Sequence, residues 1–134
     1  MDCVTLTERF LGAIFNGNMG EALEMVSAEA RFIGTRPTAC AHNPLFGTHI
    51  GAQGMEHFFK TFMAVLEPGE FIVTAKFGTS ENACFFGTLR HTVRSTGKPF
   101  ASDWALVTEV RDGRLTLYHF YEDTAALEEA MRAG

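Results

Sequence analysis

The chain has 134 residues, 46% of them hydrophobic, and its 16 acidic against 11 basic side chains give a net charge of −5. That describes one domain, residues 1–134, with enough apolar material for a core, and the lack of any Lys/Arg cluster excludes nucleic acid and anionic membrane surfaces as partners. No apolar run approaches the roughly 20 residues a bilayer crossing needs, and the N-terminus lacks the basic start and apolar middle of a signal peptide, so a cytoplasmic protein is expected.

Thr5-Leu6-Thr7-Glu8 fits a capping box, and Phe10, Leu11, Ile14 and Phe15 follow at helical spacing until Gly17. Asn18 with Glu21 repeats the pattern and opens a short second helix that ends near Ser27. Ala30 to Ile33 reads as a short strand. From Gly34 to Gly51 there is no sustained period, and a loop of that length in a small domain is often functional. Met55, Phe58, Phe59, Phe62, Met63 and Leu66 then mark one face of a third helix, which Pro68-Gly69 should terminate. Phe71, Val73, Ala75 and Phe77 alternate as a strand. Cys3, Cys40 and Cys84 are odd in number and widely spaced, so neither a disulfide framework nor a zinc signature is implied and the thiols read as reduced.

Asn82 to Asp123 carries three β-rich runs separated by Thr96-Gly97 and Asp112-Gly113, pairs that tolerate positive φ and signal hairpins. If both are two-residue turns, Arg90 faces Asp103 and Asp103 faces Glu122. Directly paired residues share a face, so one face carries Phe86, Thr88, Arg90, Asp103, Ala105, Val107, Tyr118, Phe120 and Glu122. The other carries Leu89, His91, Ser102, Trp104, Leu106, Leu117, His119 and Tyr121. A one-residue bulge would exchange these lists. Asp123 can cap a last helix through Leu127 and Met131. Helices and strands kept in separate runs indicate an α+β fold, a curved antiparallel sheet with helices across one face.

The loop PLFGTHIGAQGMEHFF, followed by strands carrying TGKPF, DW, EVRDGRL and YHFYEDTAAL, resembles the nuclear transport factor 2-like superfamily and, within it, a SnoaL-like domain, over nearly the whole chain. The resemblance implies a cone-shaped cystatin-like roll in which three helices pack over the concave face of the sheet around an apolar pocket. It also implies kinship with ketosteroid isomerases, polyketide cyclases, limonene epoxide hydrolases, scytalone dehydratases and non-catalytic binders. The isomerase positions are not filled here. The base region reads Ile33-Gly34-Thr35, the first-helix tyrosine is replaced by Phe10-Leu11, and the meander aspartic acid falls at Ala105 or Val107. The cyclase aspartate on the last strand matches Phe120. The pocket face of that strand in both families matches Thr116, Tyr118, Phe120 and Glu122.

Arg90, Asp103 and Glu122 therefore read as a row on the pocket face, where a guanidinium and burial would push two carboxyls apart into a base and an acid. Asp103 is the expected base, Arg90 its orienting charge or the oxyanion partner, and Glu122 or Tyr118 the proton donor. The opposing reading is an ion-pair row at the sheet rim, worth about 0.2–1 kcal/mol per pair. His49, Phe86, Thr88, Phe120 and Phe59 are the expected ligand contacts. No histidine pair has metal spacing and no phosphate loop is complete, so no metal or cofactor is implied. The expected function is a pocket for a compact, apolar small molecule, with cofactor-free isomerase, cyclase, dehydratase or epoxide hydrolase chemistry. A non-catalytic binding or dimerisation module is the alternative. A homodimer is expected through Leu89, Trp104, Leu106, Leu117 and Tyr121, an apolar patch larger than a monomer ordinarily exposes.

Overall fold

Helix α1 (Cys3–Phe15) begins two residues before the Thr5 box, because Asp2 is the residue that caps it and accepts a hydrogen bond from the Thr5 amide at 2.9 Å. Its apolar face buries Leu6, Phe10 and Leu11, while Thr7 meets Thr108 of the sheet hydroxyl to hydroxyl at 2.8 Å. Asn18 caps α2 (Met19–Glu24) through the Glu21 amide, as its spacing predicts. The chain continues as β1 (Val26–Gly34), an irregular loop over 35–47, β2 (Thr48–Ile50), α3 (Gly51–Val65), β3 (Leu66–Gly78), β4 (Asn82–Val93), β5 (Pro99–Arg111), β6 (Arg114–Glu122) and α4 (Thr124–Met131). These elements are those of a computed structural model that describes residues 1–134.

The six strands form one curved sheet in the order β2-β1-β6-β5-β4-β3. The architecture is the expected α+β class, with two differences. There are four helices, as the chain-order reading has them, against the three over the sheet that the resemblance implies, and the sheet is mixed, because β1 pairs with β6 in parallel. Pro68-Gly69 does not end a helix but lies inside β3, where the register slips between Glu67 and Glu70. A proline is tolerated there because β3 is an edge strand.

The helices cover one face of the sheet, whose side chains include Phe32, Phe85, Leu89, Trp104, Leu106 and Tyr118, all buried. Gly87 permits the close approach of β3, since a Cβ there would run into the Ile72 carbonyl.

The two hairpins depart from simple counting in different ways. Asp112-Gly113 is the expected two-residue turn, with both residues at positive φ and Arg111 opposite Arg114. The other connection is longer: Val93 bonds Lys98 and Gly97 bonds Val93, so Thr88 rather than Arg90 faces Asp103. That two-residue slip leaves the faces of β4 and β5 unchanged.

Beyond the tight turn, Thr116 is an extra residue between the Val110↔Leu115 and Glu109↔Leu117 pairs. Its hydroxyl donates to the Glu109 carbonyl at 3.2 Å and to the Glu109 carboxylate at 3.0 Å. This bulge exchanges the faces of β6 relative to β5.

Candidate active site

The exchange of faces divides the expected row. Tyr118, Phe120 and Glu122 point toward the helices beside Thr108, Leu106 and Trp104, their ladder partners. Arg90 and Asp103, with Phe86 and Thr88, lie on the outer face and are exposed. Neither Arg90 nor Asp103 takes part in any of the chain's ion pairs, which join His42–Glu128, Lys76–Glu8, Arg94–Glu67 and Arg111–Glu109. Asp103, Phe86 and Thr88 line an open groove on the outer face with Thr74 and Tyr121, and Glu122 reaches the edge of the same groove. The expected placement of Arg90, Asp103, Phe86 and Thr88 on the helix-covered pocket face is thus corrected.

The expected dimer patch is corrected for the same reason. Leu89, Trp104 and Leu106 are core residues, 3%, 3% and 0% exposed.

The enclosed site lies at the C-terminal end of β6, where Phe120 and Glu122 face a narrow cavity closed by Leu45 and Phe46 of the 35–47 loop, Phe58 and Phe62 of α3, and Leu127 of α4. Three local features build it. Gly34 lets the loop press onto β1, since a Cβ would run into the Leu45 carbonyl. The Thr35 amide donates to the Phe120 carbonyl at 2.6 Å, tying the start of the loop to β6. Asp123 caps α4 by accepting from the Ala126 amide at 3.0 Å, which turns the chain directly after Glu122. About 20 Å³ of the cavity is open to the centre of a water molecule, room for roughly one water.

Glu122 is the chemically distinctive residue here. Burial pushes its carboxyl up to about 7, because apolar walls penalise the charged form and no hydrogen bond offsets that cost. Tyr118 is walled by Phe10, Phe32, Phe58 and Phe59 at 5.5–5.7 Å between ring centroids. Burial raises its hydroxyl above the ordinary phenol range, and the charge of Glu122 adds to the effect. Tyr118 therefore stays a neutral donor.

Phe59 belongs to this aromatic core rather than to the cavity wall. His49 is half-buried on β2, with its ring 4.9 Å from that of His57 and 6.1 Å from that of Phe58. Desolvation, then the neighbouring His57, lowers its pKa. It does not line the cavity. No three His, Cys, Asp or Glu side chains converge as a metal would require.

Asn43, Leu45 and Phe46 are contacts that sequence reasoning did not single out, whereas Phe58 and Phe62 come from the apolar face read for the third helix. The available signals were the length of the irregular loop and the apolar pair inside PLFG. His91, expected on the outer face, is buried against Phe62, its Nδ1 accepting from the Gly69 amide at 2.9 Å.

No helix is long and apolar enough to cross a membrane. Among curated proteins none matches the sequence. Several solved structures share the fold. An NTF2-like protein from Burkholderia xenovorans aligns with a TM-score of 0.85 at 23% identity, over 96% of this chain and 95% of that one. One from Burkholderia thailandensis gives 0.84 at 18% identity, over 98% of each. TerC, co-crystallised with polyporic acid, gives 0.73 at 20% identity over 95% of each. The SnoaL-like domain model matches residues 7–118, and with this sheet, this helical cover and this enclosed β6 end, the chain belongs to the SnoaL-like domain family.

Proposed function

We propose that this SnoaL-like domain is a small-molecule pocket protein in which Glu122 is the acid–base group. The observation that carries the reading is an unpaired carboxyl, shifted to about 7, on the wall of an apolar cavity. A carboxyl in that range is divided between its two forms near neutral pH, so it takes a proton from one atom of a bound molecule and returns it to another. Tyr118, which lies in the adjoining aromatic interior rather than on the cavity wall, is held neutral there and is the donor that this reading gives to an oxygen gaining charge. Cofactor-free isomerisation, dehydration, cyclisation or epoxide opening of a compact apolar substrate all fit that pair. A molecule larger than water fits the narrow cavity when the 35–47 loop or the rings of Phe46 and Phe62 move aside, and Glu122 also borders the open outer groove.

Turnover of small epoxides, enones and hydroxy-ketones by the wild type and by Glu122→Gln tests the proposal. The variant should lose at least about 10²-fold in rate. Equal turnover by both proteins overturns it.

A second reading, a non-catalytic binding or dimerisation module, is favoured by a different feature. The outer face exposes Ile72, Phe77, Phe86 and Tyr121, 40–58% accessible each, and a second copy of the chain packed face to face would cover them.

A further inference from the structure

We propose that Cys40 is a reactive thiol, activated by His42 for exchange with low-molecular-weight disulfides. The site is separate from Glu122 and does not rest on the role given to it. Cys40 is one end of a relay whose members come from the 35–47 loop and from α4. Its Sγ lies 2.9 Å from His42 Nδ1, and His42 Nε2 lies 3.2 Å from Glu128 Oε1.

The Glu128 carboxylate, an acceptor only, stands 3.2 Å from Nε2 and favours the hydrogen on that nitrogen, which leaves the lone pair of Nδ1 for the thiol. Glu128 is itself held, since Asn43 Nδ2 donates to its Oε2 at 3.3 Å. Asn43 is fully buried, and its Oδ1 accepts from the Leu45 amide at 3.1 Å. Nucleophile, base and orienting carboxylate thus stand in the order that thiol catalysis uses.

The other two cysteines lack such an arrangement. Cys3 is wholly buried against the Thr108 hydroxyl at 3.3 Å. Cys84 is half-buried like Cys40, but its nearest partner is the Phe85 carbonyl at 3.9 Å.

In the step itself His42 Nδ1 accepts the Cys40 proton while Sγ attacks one sulfur of the disulfide. A new S–S bond forms, the old one breaks, and the departing thiolate takes the proton from His42. Cys40 is oxidised and the released thiol is reduced, so no further reactant is needed.

The test treats the full-length protein with a small aromatic disulfide and locates the adducts by peptide mass spectrometry, with Cys84 as the internal reference. Cys40 should form its adduct about tenfold or more faster than Cys84, and His42→Ala should bring the two rates together. Glu128→Gln should lower the Cys40 rate while the Cys84 rate and the melting temperature stay unchanged, a pattern that general loosening of the fold would not give. Should His42→Ala unfold, all three thiols become reactive and Glu128→Gln decides. Equal rates at Cys40 and Cys84 in the wild type, or an undiminished Cys40 rate in Glu128→Gln alongside a folded and unaffected His42→Ala, overturns the proposal.

Discussion

Trp104 stands directly opposite Glu122 across the β5–β6 ladder, and its indole packs against both Phe71 of β3 and Phe120 of β6, with ring centroids 4.4 and 5.6 Å away and planes within 18° of parallel. The indole N–H is spent on the Thr88 carbonyl at 3.0 Å. Glu122 therefore adjoins stacked aromatic faces that give a carboxylate no donor, and this is why burial raises its pKa instead of pairing lowering it.

The same desolvation predicts a pH-dependent stability. The folded pKa of Glu122, about 7, lies above its value in the unfolded chain, so between the two the folded state binds more protons. Stability is then highest below the unfolded value, roughly pH 4.3, and declines as pH rises through about 7. Glu122→Gln removes the charged form. The variant should be more stable than the wild type at about pH 8, by at most about 3 kcal/mol, and the difference should shrink toward zero near about pH 4. Denaturant melts at both values check this, and a variant less stable at the higher pH would show that Glu122 is paired in solution.

Asp103 and Arg90 make the contrasting case. Both are exposed on the outer face without an ion pair between them, so Asp103→Asn should change stability by no more than about 0.5 kcal/mol. It should also leave any turnover intact. Thermal melts and rates measured side by side decide the matter, and a large loss of rate would return Asp103 to the site.

One residue explains why part of this site was legible in the sequence and part was not. Asp112-Gly113 announces its turn because only a few residue types adopt positive φ, and Asn18 and Asp123 announce their helices because few side chains cap an amide. Nothing about Thr116 announces a bulge, since threonine is an ordinary strand residue. Counting outward from the turn therefore puts Asp103 with Glu122, whereas the ladder puts Trp104 there. The family resemblance placed Tyr118, Phe120 and Glu122 inward by matching positions on the last strand, without passing through the turn. The loop over 35–47 was visible only as an absence of period, so Asn43 and Phe46 had no pattern to mark them.

The outer face carries the next prediction. With Ile72, Phe77, Phe86 and Tyr121 exposed together, the protein should be a homodimer at micromolar concentration, and Phe86→Glu should shift it toward monomer without unfolding it. Leu106→Glu, by contrast, places a charge at a fully buried position and should unfold the chain. Light scattering and circular dichroism on the two variants separate these outcomes. A wild type that is monomeric at high micromolar concentration would rule the interface out.

His91 supplies the last prediction, opposite in sign to that of Glu122. Its Nδ1 accepts from Gly69, its Nε2 is buried with no partner, and desolvation holds its pKa below the usual histidine value against a smaller opposing effect of the Arg90 backbone. The unfolded chain takes up the His91 proton at a higher pH than the folded one does, so stability is present above the unfolded value of about 6.5 and is lost as pH falls below it. In the wild type the Glu122 effect runs against this over an overlapping range, so the comparison belongs in the Glu122→Gln background. There, replacing His91 by Gln keeps an acceptor for the Gly69 amide and removes the titration. The double variant should lose less stability than Glu122→Gln alone between about pH 7 and about pH 5. The half-buried His49, lowered in the same direction, is common to both proteins and cancels in the difference. Parallel slopes for the two proteins would mean that the folded protein takes up the His91 proton as readily as the unfolded chain, which its burial beside Phe62 does not allow.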